Sequence, residues 1–252
     1  MCDPQVSKTS IIRWSSPIPS FGDLYSSVVA TVGLNPSNKE FVDSETKELQ
    51  GPKRRFPTLT SLKISNWSEA NDFHIEQILD SCKNYFARNP YEWFKRLDFV
   101  ISGTTKSYYF PSTGACHLDL IPFATAEKWG DLSTQEKSLL LELSGDTLGI
   151  LLKASPIKLL VLNGGTVVDN FKKISNVVFE IKEQKRWTLP RELGAGVVGF
   201  SYEGKATSIG GVDLGREVQV LGYNHNLQSS FGVTTEVLRS IRNWITKKAL
   251  FR

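Results

Sequence analysis

Four short apolar runs, separated by helical patterns, constrain this chain more than any other feature. They are SSVVATVG (26–33), ACHLDLIPF (115–123), IKLLVLN (157–163) and EVQVLGYN (217–224). Runs this short and this apolar fit strands buried on both faces. Strands that alternate with helices pair in parallel, because a parallel neighbour needs a crossover long enough to hold a helix. The expected fold is a three-layer α/β/α sandwich on a four-stranded parallel sheet whose strands end near Gly33, Phe123, Asn163 and Asn224.

The helical patterns are specific. NDFHIEQILDSCKNYFA (71–87) has Asn71 as a cap and Phe73, Ile75, Ile78, Leu79, Cys82 and Phe86 at helical spacing. Ser133-Thr-Gln-Glu136 has the form of a capping box, followed by Leu139, Leu140 and Leu143, and that helix is expected to end before Pro156. A last helix over 233–248 sets Val237, Leu238, Ile241, Trp244 and Ile245 on one stripe, with Glu236 early and Lys247 and Lys248 late, as the helix dipole favours. Residues 177–216 break the alternation: VVFEIK, then GVVGFSYEGKAT with a Glu-Gly turn, then SIGGVDLG read as β-hairpins inserted before the last strand. Residues 43–55 read as a mobile polar loop.

With 252 residues and 40% hydrophobic content, the chain can bury a large core, and a single domain is expected. A net charge of +4 permits a polyanionic partner without demanding one. Cys2, Cys82 and Cys116 are odd in number and far apart, so they offer neither a disulfide framework nor a metal knuckle. No apolar run reaches the roughly 18 residues of a membrane span. The start, MCDPQVSKTS, lacks the regions of a signal peptide. A monomeric, intracellular protein follows as the expectation, cytoplasmic, or nuclear in a eukaryote, with no metal and no membrane partner.

Gly194-Ala-Gly-Val-Val-Gly199 matches GxGxxG, but it is preceded by RWTLPREL and followed by FSYEGK rather than flanked by a strand and a helix, so no dinucleotide cofactor is expected. The zinc-deaminase, HExxH and GxSxG patterns are absent, and His74 in a helical stretch reads as a surface or packing histidine. The informative residues lie where open parallel sheets bind ligands, at the C-terminal ends of the strands. Gly33-Leu34-Asn35-Pro36-Ser37 ends the first strand, Leu118-Asp119-Leu-Ile-Pro122 lies on the second, and Tyr223-Asn224-His225-Asn226-Leu227-Gln228-Ser229-Ser230 ends the last. Together they bring an amide, a carboxyl group and an imidazole to one crevice. Each also has a plain structural reading: Asn-Pro makes turns, Asp119 can cap a helix or pair with a lysine, and His225 can be a satisfied loop residue.

In order and spacing these elements resemble the uracil-DNA glycosylase superfamily. VGLNPSN is similar to the asparagine version of the family's first motif, found in the single-strand-selective and mismatch-specific branches. Leu118 to Phe123 resembles the second element, and His225 to Ser230 falls where the third motif, H-P-S-P, stands. The resemblance implies a DNA N-glycosylase. In that reading Asn35 positions water at the C1′–N bond, and His225 stabilises the departing base. Gly33, Leu34, Pro36, Ser37 and Asp119 form the base pocket, and Phe56, or else Phe41, stacks on the base. Lys53, Arg54 and Arg55 would meet phosphates, as would the 226–230 loop, with Leu227 or Gln228 filling the gap left by the flipped base.

Two departures bear on this reading. Asn226 and Gln228 replace the prolines of the third motif, and Asp119 stands where the family commonly has asparagine. An amide offers a donor and an acceptor, whereas an ionised carboxylate only accepts. Opposite O4 of uracil that leaves an unpaired clash of about 1–3 kcal/mol, so weak or absent activity on uracil is expected, with two alternatives open: an amino-bearing base such as cytosine that offers its N–H₂ to the carboxylate, or a protonated Asp119 that donates to a carbonyl or ring nitrogen. The same fold with a silent site, binding nucleic acid or a nucleotide without cleavage, is the alternative, and hydrolysis of a free nucleoside is a third.

Overall fold

The structure, a computed structural model, describes residues 3–88, 92–191, 194, 196–228 and 230–249. Its sheet is built from β1 (Val29–Gly33), β2 (Ala115–Asp119), β3 (Leu159–Asn163), β4 (Glu180–Glu183), β5 (Phe200–Ile209) and β6 (Val212–Tyr223) in the order β2-β1-β3-β6-β5-β4. The first four in that order run parallel, β5 is antiparallel to β6, and β4 is antiparallel to β5. The helices are α1 (Leu59–Leu62), α2 (Asp72–Lys83), α3 (Tyr85–Arg88), α4 (Glu92–Ile101), α5 (Thr134–Leu143), α6 (Thr147–Lys153), α7 (Gly165–Ile174) and α8 (Thr235–Lys248).

Successive strand residues point to opposite faces, and both faces are apolar. Val29, Ala115, Leu159, Val161, Leu221 and Tyr223 face one core with residues of α1, α2, α3, α4 and α8. Ala30, Val32, Cys116, Leu118, Leu160, Leu162, Val218 and Val220 face the other with α5, α6 and α7. This is a mixed sheet between two helical layers. The expected parallel strands are present, but the sheet is six-stranded rather than four-stranded. The excursion at 177–216 does not stand apart; it extends the same sheet with antiparallel strands.

Several local expectations change for physical reasons. The hairpin turn lies at Gly210-Gly211 rather than Glu203-Gly204, because the two glycines adopt the positive φ (58° and 77°) that a tight two-residue turn requires. Asn71 caps α2, but Phe73, Ile75 and Leu79 are exposed, and Ile78 and Cys82 carry its buried face. Ser133 caps α5, yet Glu136 does not reach back to it: Glu136 Oε1 takes the backbone N–H and hydroxyl of Ser10 at 2.5 and 2.6 Å. The helix expected to end before Pro156 does so at Leu143, and a separate short helix, α6, follows it. α8 buries Val237, Ile241 and Ile245 as its periodicity predicts. The 43–55 loop is hydrogen-bonded, with Asp43 Oδ1 accepting from the N–H groups of Glu45 and Lys47 at 2.9 and 3.0 Å. Gly194 and Gly196–Gly199 lead into β5, not into a helix. Among the described residues no helix is long and apolar enough to cross a membrane.

Candidate functional site

Parallel strands that end together leave a crevice where their loops diverge. Here the ends of β1, β2 and β3 open onto a cleft of two adjoining compartments. Both are lined by Asn35, Pro36, Ser37, Asn38, Trp93 and Asp119, and the larger one encloses about 780 Å³.

The turn after β1 is stitched to the loop after β2. Leu120 and Ile121 donate their N–H groups to the carbonyls of Gly33 and Leu34 at 3.1 and 3.0 Å, continuing the pairing past the strand ends. Pro36 is buried, and Ser37 Oγ caps the short helical turn Asn38–Glu40. Asn35 Nδ2 donates to Thr125 Oγ1 at 2.9 Å and to the carbonyls of Pro36 and Phe123 at 3.2 and 3.4 Å. The single hydroxyl proton of Thr125 goes to the Glu127 carbonyl at 2.7 Å, so Thr125 must accept from Asn35. All three partners are acceptors, which assigns the amide nitrogen to that side. Asn35 Oδ1 accepts from no described residue, in a side chain that lines both compartments.

Asp119 ends β2 directly opposite Gly33 in the parallel register, and His117 lies opposite Thr31. A side chain at Gly33 would collide with Asp119 Oδ1 and touch His117 Nε2 at 3.0 Å, so the glycine is what allows the carboxylate and imidazole to sit over the end of β1. The two side chains approach with His117 Nε2 at 3.4 Å from Asp119 Oδ1. On its other side His117 Nδ1 meets Thr31 Oγ1 at 2.6 Å, and Thr31 in turn meets the hydroxyl of the buried Tyr108. Burial holds the Tyr108 phenol well above its ordinary pKa, so it remains a hydroxyl.

The larger compartment has aromatic and acidic walls. Phe21, Trp93 and Phe94 surround the His117 ring at centroid distances of 5.7, 5.8 and 5.2 Å. Glu40 is buried beside them and accepts from the Tyr85 hydroxyl at 2.9 Å and from Arg55 Nη1 at 3.2 Å. Burial pushes the Glu40 carboxyl above its usual range, Arg55 and Tyr85 oppose that, and the charge of Asp119 adds to it. Glu40, Asp119, Glu127 and Asp131 contribute carboxylates to the cleft against the ammonium groups of Lys39 and Lys128. Carboxylates outnumber ammonium groups, which suits a ligand that presents N–H groups to the floor.

The cleft thus gathers Gly33, Leu34, Asn35, Pro36, Ser37, Asp119 and Asn226, and excludes the other candidates from its lining. His225 is buried with Nε2 at 2.7 Å from the Trp187 carbonyl. Burial lowers its pKa below the ordinary imidazole value, the Trp187 bond opposes this, and Arg191 adds to it. Leu227 is fully buried in the core, so it is no wedge. Gln228 Oε1 accepts from Asn163 Nδ2 at 2.6 Å, Ser230 donates its N–H to the Asn226 carbonyl at 2.8 Å, and Ser229 lies outside the described residues. Phe56 does not face the cleft; it stacks on Tyr85 in the core at 5.3 Å, and Phe41 lies in the same cluster. Arg55 is paired with Glu40, Arg54 lies 3.9 Å from Glu48, and Lys53 is exposed away from the lining.

Sequence reasoning missed His117, Glu40 and the Trp93 face. For His117 the signal was present: residues two apart on a strand share a face, so 117 and 119 had to point the same way. For Glu40 and Trp93 there was no comparable signal, since both are placed by tertiary packing. Among the described residues no group of three or more His, Cys, Asp or Glu side chains is arranged to hold a metal ion. Comparison with known proteins finds no family model that matches the chain and no curated protein that matches it.

Proposed function

We propose that this cleft receives a flipped nucleobase and that the protein is a DNA N-glycosylase with a uracil-DNA glycosylase-like core. The observation that carries the reading is Asn35: its amide nitrogen is fixed by three acceptors, and its carbonyl oxygen is left to orient a water molecule beside Asp119 in an aromatic-walled cleft. The four parallel strands, with the first motif at the end of the first, agree with the architecture that the resemblance implies. A neutral amide is too weak a base to generate hydroxide, so the reaction is dissociative. The C1′–N bond breaks with its electron pair leaving on the base, water held by Asn35 adds to C1′, and its proton passes to solvent. Trp93, 38% exposed at the rim, replaces Phe56 as the ring on which the base stacks. Extrusion of the base costs a few kcal/mol, and stacking offsets part of it.

One observation favours the alternative of a silent base-binding module. The imidazole expected to stabilise the departing base, His225, is engaged by the Trp187 carbonyl and does not line the cleft. Incubation with a panel of single- and double-stranded oligonucleotides, each carrying one candidate base and then cleaved at abasic sites, separates the two. Strand breaks at one or more bases are the expected outcome. Intact strands across the panel, together with tight oligonucleotide binding, would establish the binding module instead.

A further inference from the structure

An acceptor-only carboxylate at the base-reading position raises the question of where the missing donor is. It stands beside the carboxylate. His117 Nδ1, Thr31 Oγ1 and the Tyr108 hydroxyl form a buried chain in which each hydroxyl has one proton to place. If Nδ1 carried a proton it would donate to Thr31, Thr31 would donate to Tyr108, and the buried phenol would have no acceptor among the described residues. In the opposite direction every proton is used: Tyr108 donates to Thr31, Thr31 donates to Nδ1, and the imidazole carries its hydrogen on Nε2. That nitrogen lies 3.4 Å from Asp119 Oδ1, longer than an ordinary hydrogen bond, and both groups line the same compartment. Three aromatic rings pack around the imidazole and hold its plane.

We propose that His117 Nε2–H and the Asp119 carboxylate act together as a composite amide, donor and acceptor side by side, that reads a planar heterocycle presenting one acceptor next to one N–H. Such edges are the lactam type, a carbonyl beside a ring N–H, and the amidine type, a bare ring nitrogen beside an amino group. Uracil has the first and cytosine the second. The pair therefore accepts either and rejects a ring that offers acceptors only, so the carboxylate by itself does not exclude uracil. His117 is then a specificity-determining residue outside the motifs that the family resemblance identified. The inference rests on the reading that the cleft receives a base, but it does not require that the glycosidic bond be cut.

Equilibrium binding of free nucleosides to the full chain tests it. Uridine and cytidine should bind within a few-fold of each other, and the nucleoside of 2-pyrimidinone, which keeps the ring and O2 but has neither the N–H nor the amino group, should bind at least about tenfold more weakly, as expected when a buried carboxylate is left without its donor. 3-Deazacytidine, which keeps the amino group but has a C–H where cytidine has N3, should likewise bind at least about tenfold more weakly than cytidine, because it offers Nε2–H no acceptor. Thr31→Val, which keeps shape and removes the relay hydroxyl, should shrink this second discrimination, and His117→Phe, which fills the ring's space without an N–H, should abolish it while the first, carried by Asp119, persists. A merely structural role for His117 would leave the ratio of cytidine to 3-deazacytidine binding unchanged. Nitrogen-15 NMR of the wild-type imidazole gives a readout independent of both variants and should find the proton on Nε2. A proton on Nδ1, equal binding of the 2-pyrimidinone nucleoside, or no binding of any of the four would overturn the proposal. The abasic-site assay reports separately on cleavage: excision with undiminished 2-pyrimidinone binding sinks the composite amide alone, and discrimination without excision sinks the glycosylase alone.

Discussion

The loops after β1 and β6 leave the same end of one sheet, and the family resemblance gives both a share in the chemistry, yet their side chains are used in opposite ways. After β1, Asn35 is held by its nitrogen and leaves its oxygen to the cleft. After β6, Asn224, His225 and the Leu227 carbonyl are each held by groups packed against the loop. Asn224 donates to the Val198 carbonyl and accepts from the Phe200 N–H, both at 2.8 Å; His225 meets Trp187; and the Leu227 carbonyl accepts from Arg96 Nη1 at 2.8 Å. Trp187, Val198 and Phe200 all belong to the β-rich excursion, which lies under the second loop and not under the first. Strand topology therefore decides where a loop lies, and the segment packed beneath it decides which way its side chains turn.

The strongest way to break this comparison is Leu227→Ala. A core leucine truncated to alanine should lower the unfolding free energy by about 2–5 kcal/mol in urea titration. An unchanged midpoint with impaired DNA binding would return Leu227 to the role of a wedge. If the proposed glycosylase activity is present, the next contrast sets the two loops against each other in single-turnover cleavage. Asn35→Ala should reduce the rate by roughly 10²–10³-fold, as for loss of a preorganised polar contact, and His225→Gln, which retains an N–H for the Trp187 carbonyl, by less than about tenfold. Equal large losses would mean that the second loop turns into the cleft when DNA binds. The smallest effect is the pH dependence of stability. With its pKa lowered in the fold, His225 stabilises the protein above the ordinary imidazole value of 6.5, and that contribution is lost as pH falls through the lower folded value, because the unfolded chain binds the proton more readily. Wild type should therefore lose stability between about pH 7 and 5 more steeply than His225→Gln, and parallel curves would show that the imidazole is not burdened by burial.

Much of the frame was legible because it depends on local pattern. The four parallel strands, the stripe of α8 and the turn at Gly33–Ser37 follow from runs of apolar residues and their punctuation. Phe56 was misplaced because Phe21, Phe56, Tyr85 and Phe94 form one aromatic cluster, and no sequence pattern tells which rings of a cluster face a cavity. The exposed face of α2 shows the same limit from the other side, since periodicity marks apolar positions without marking what covers them. The antiparallel extension was visible as hairpins, but whether they join the main sheet depends on pairing between β5 and β6, a long-range fact.

The two margins of the sheet differ in a way that bears on how the molecule behaves in a crowded solution. The β2 margin is closed by its own chain: Phe21 and His117 exchange N–H and carbonyl groups at 2.8 and 2.9 Å. At the β4 margin four exposed residues, Glu180, Ile181, Lys182 and Glu183, carry the last ladder with no further strand beyond them among the described residues. An open, flat, apolar margin would invite another chain to add on and propagate into aggregate. Here the strand is short, and three of its four side chains are charged, so a second copy adding on would have to desolvate ionised groups on each strand. The antiparallel extension that occupies the loop after β6 thus brings its own protection against indefinite self-association.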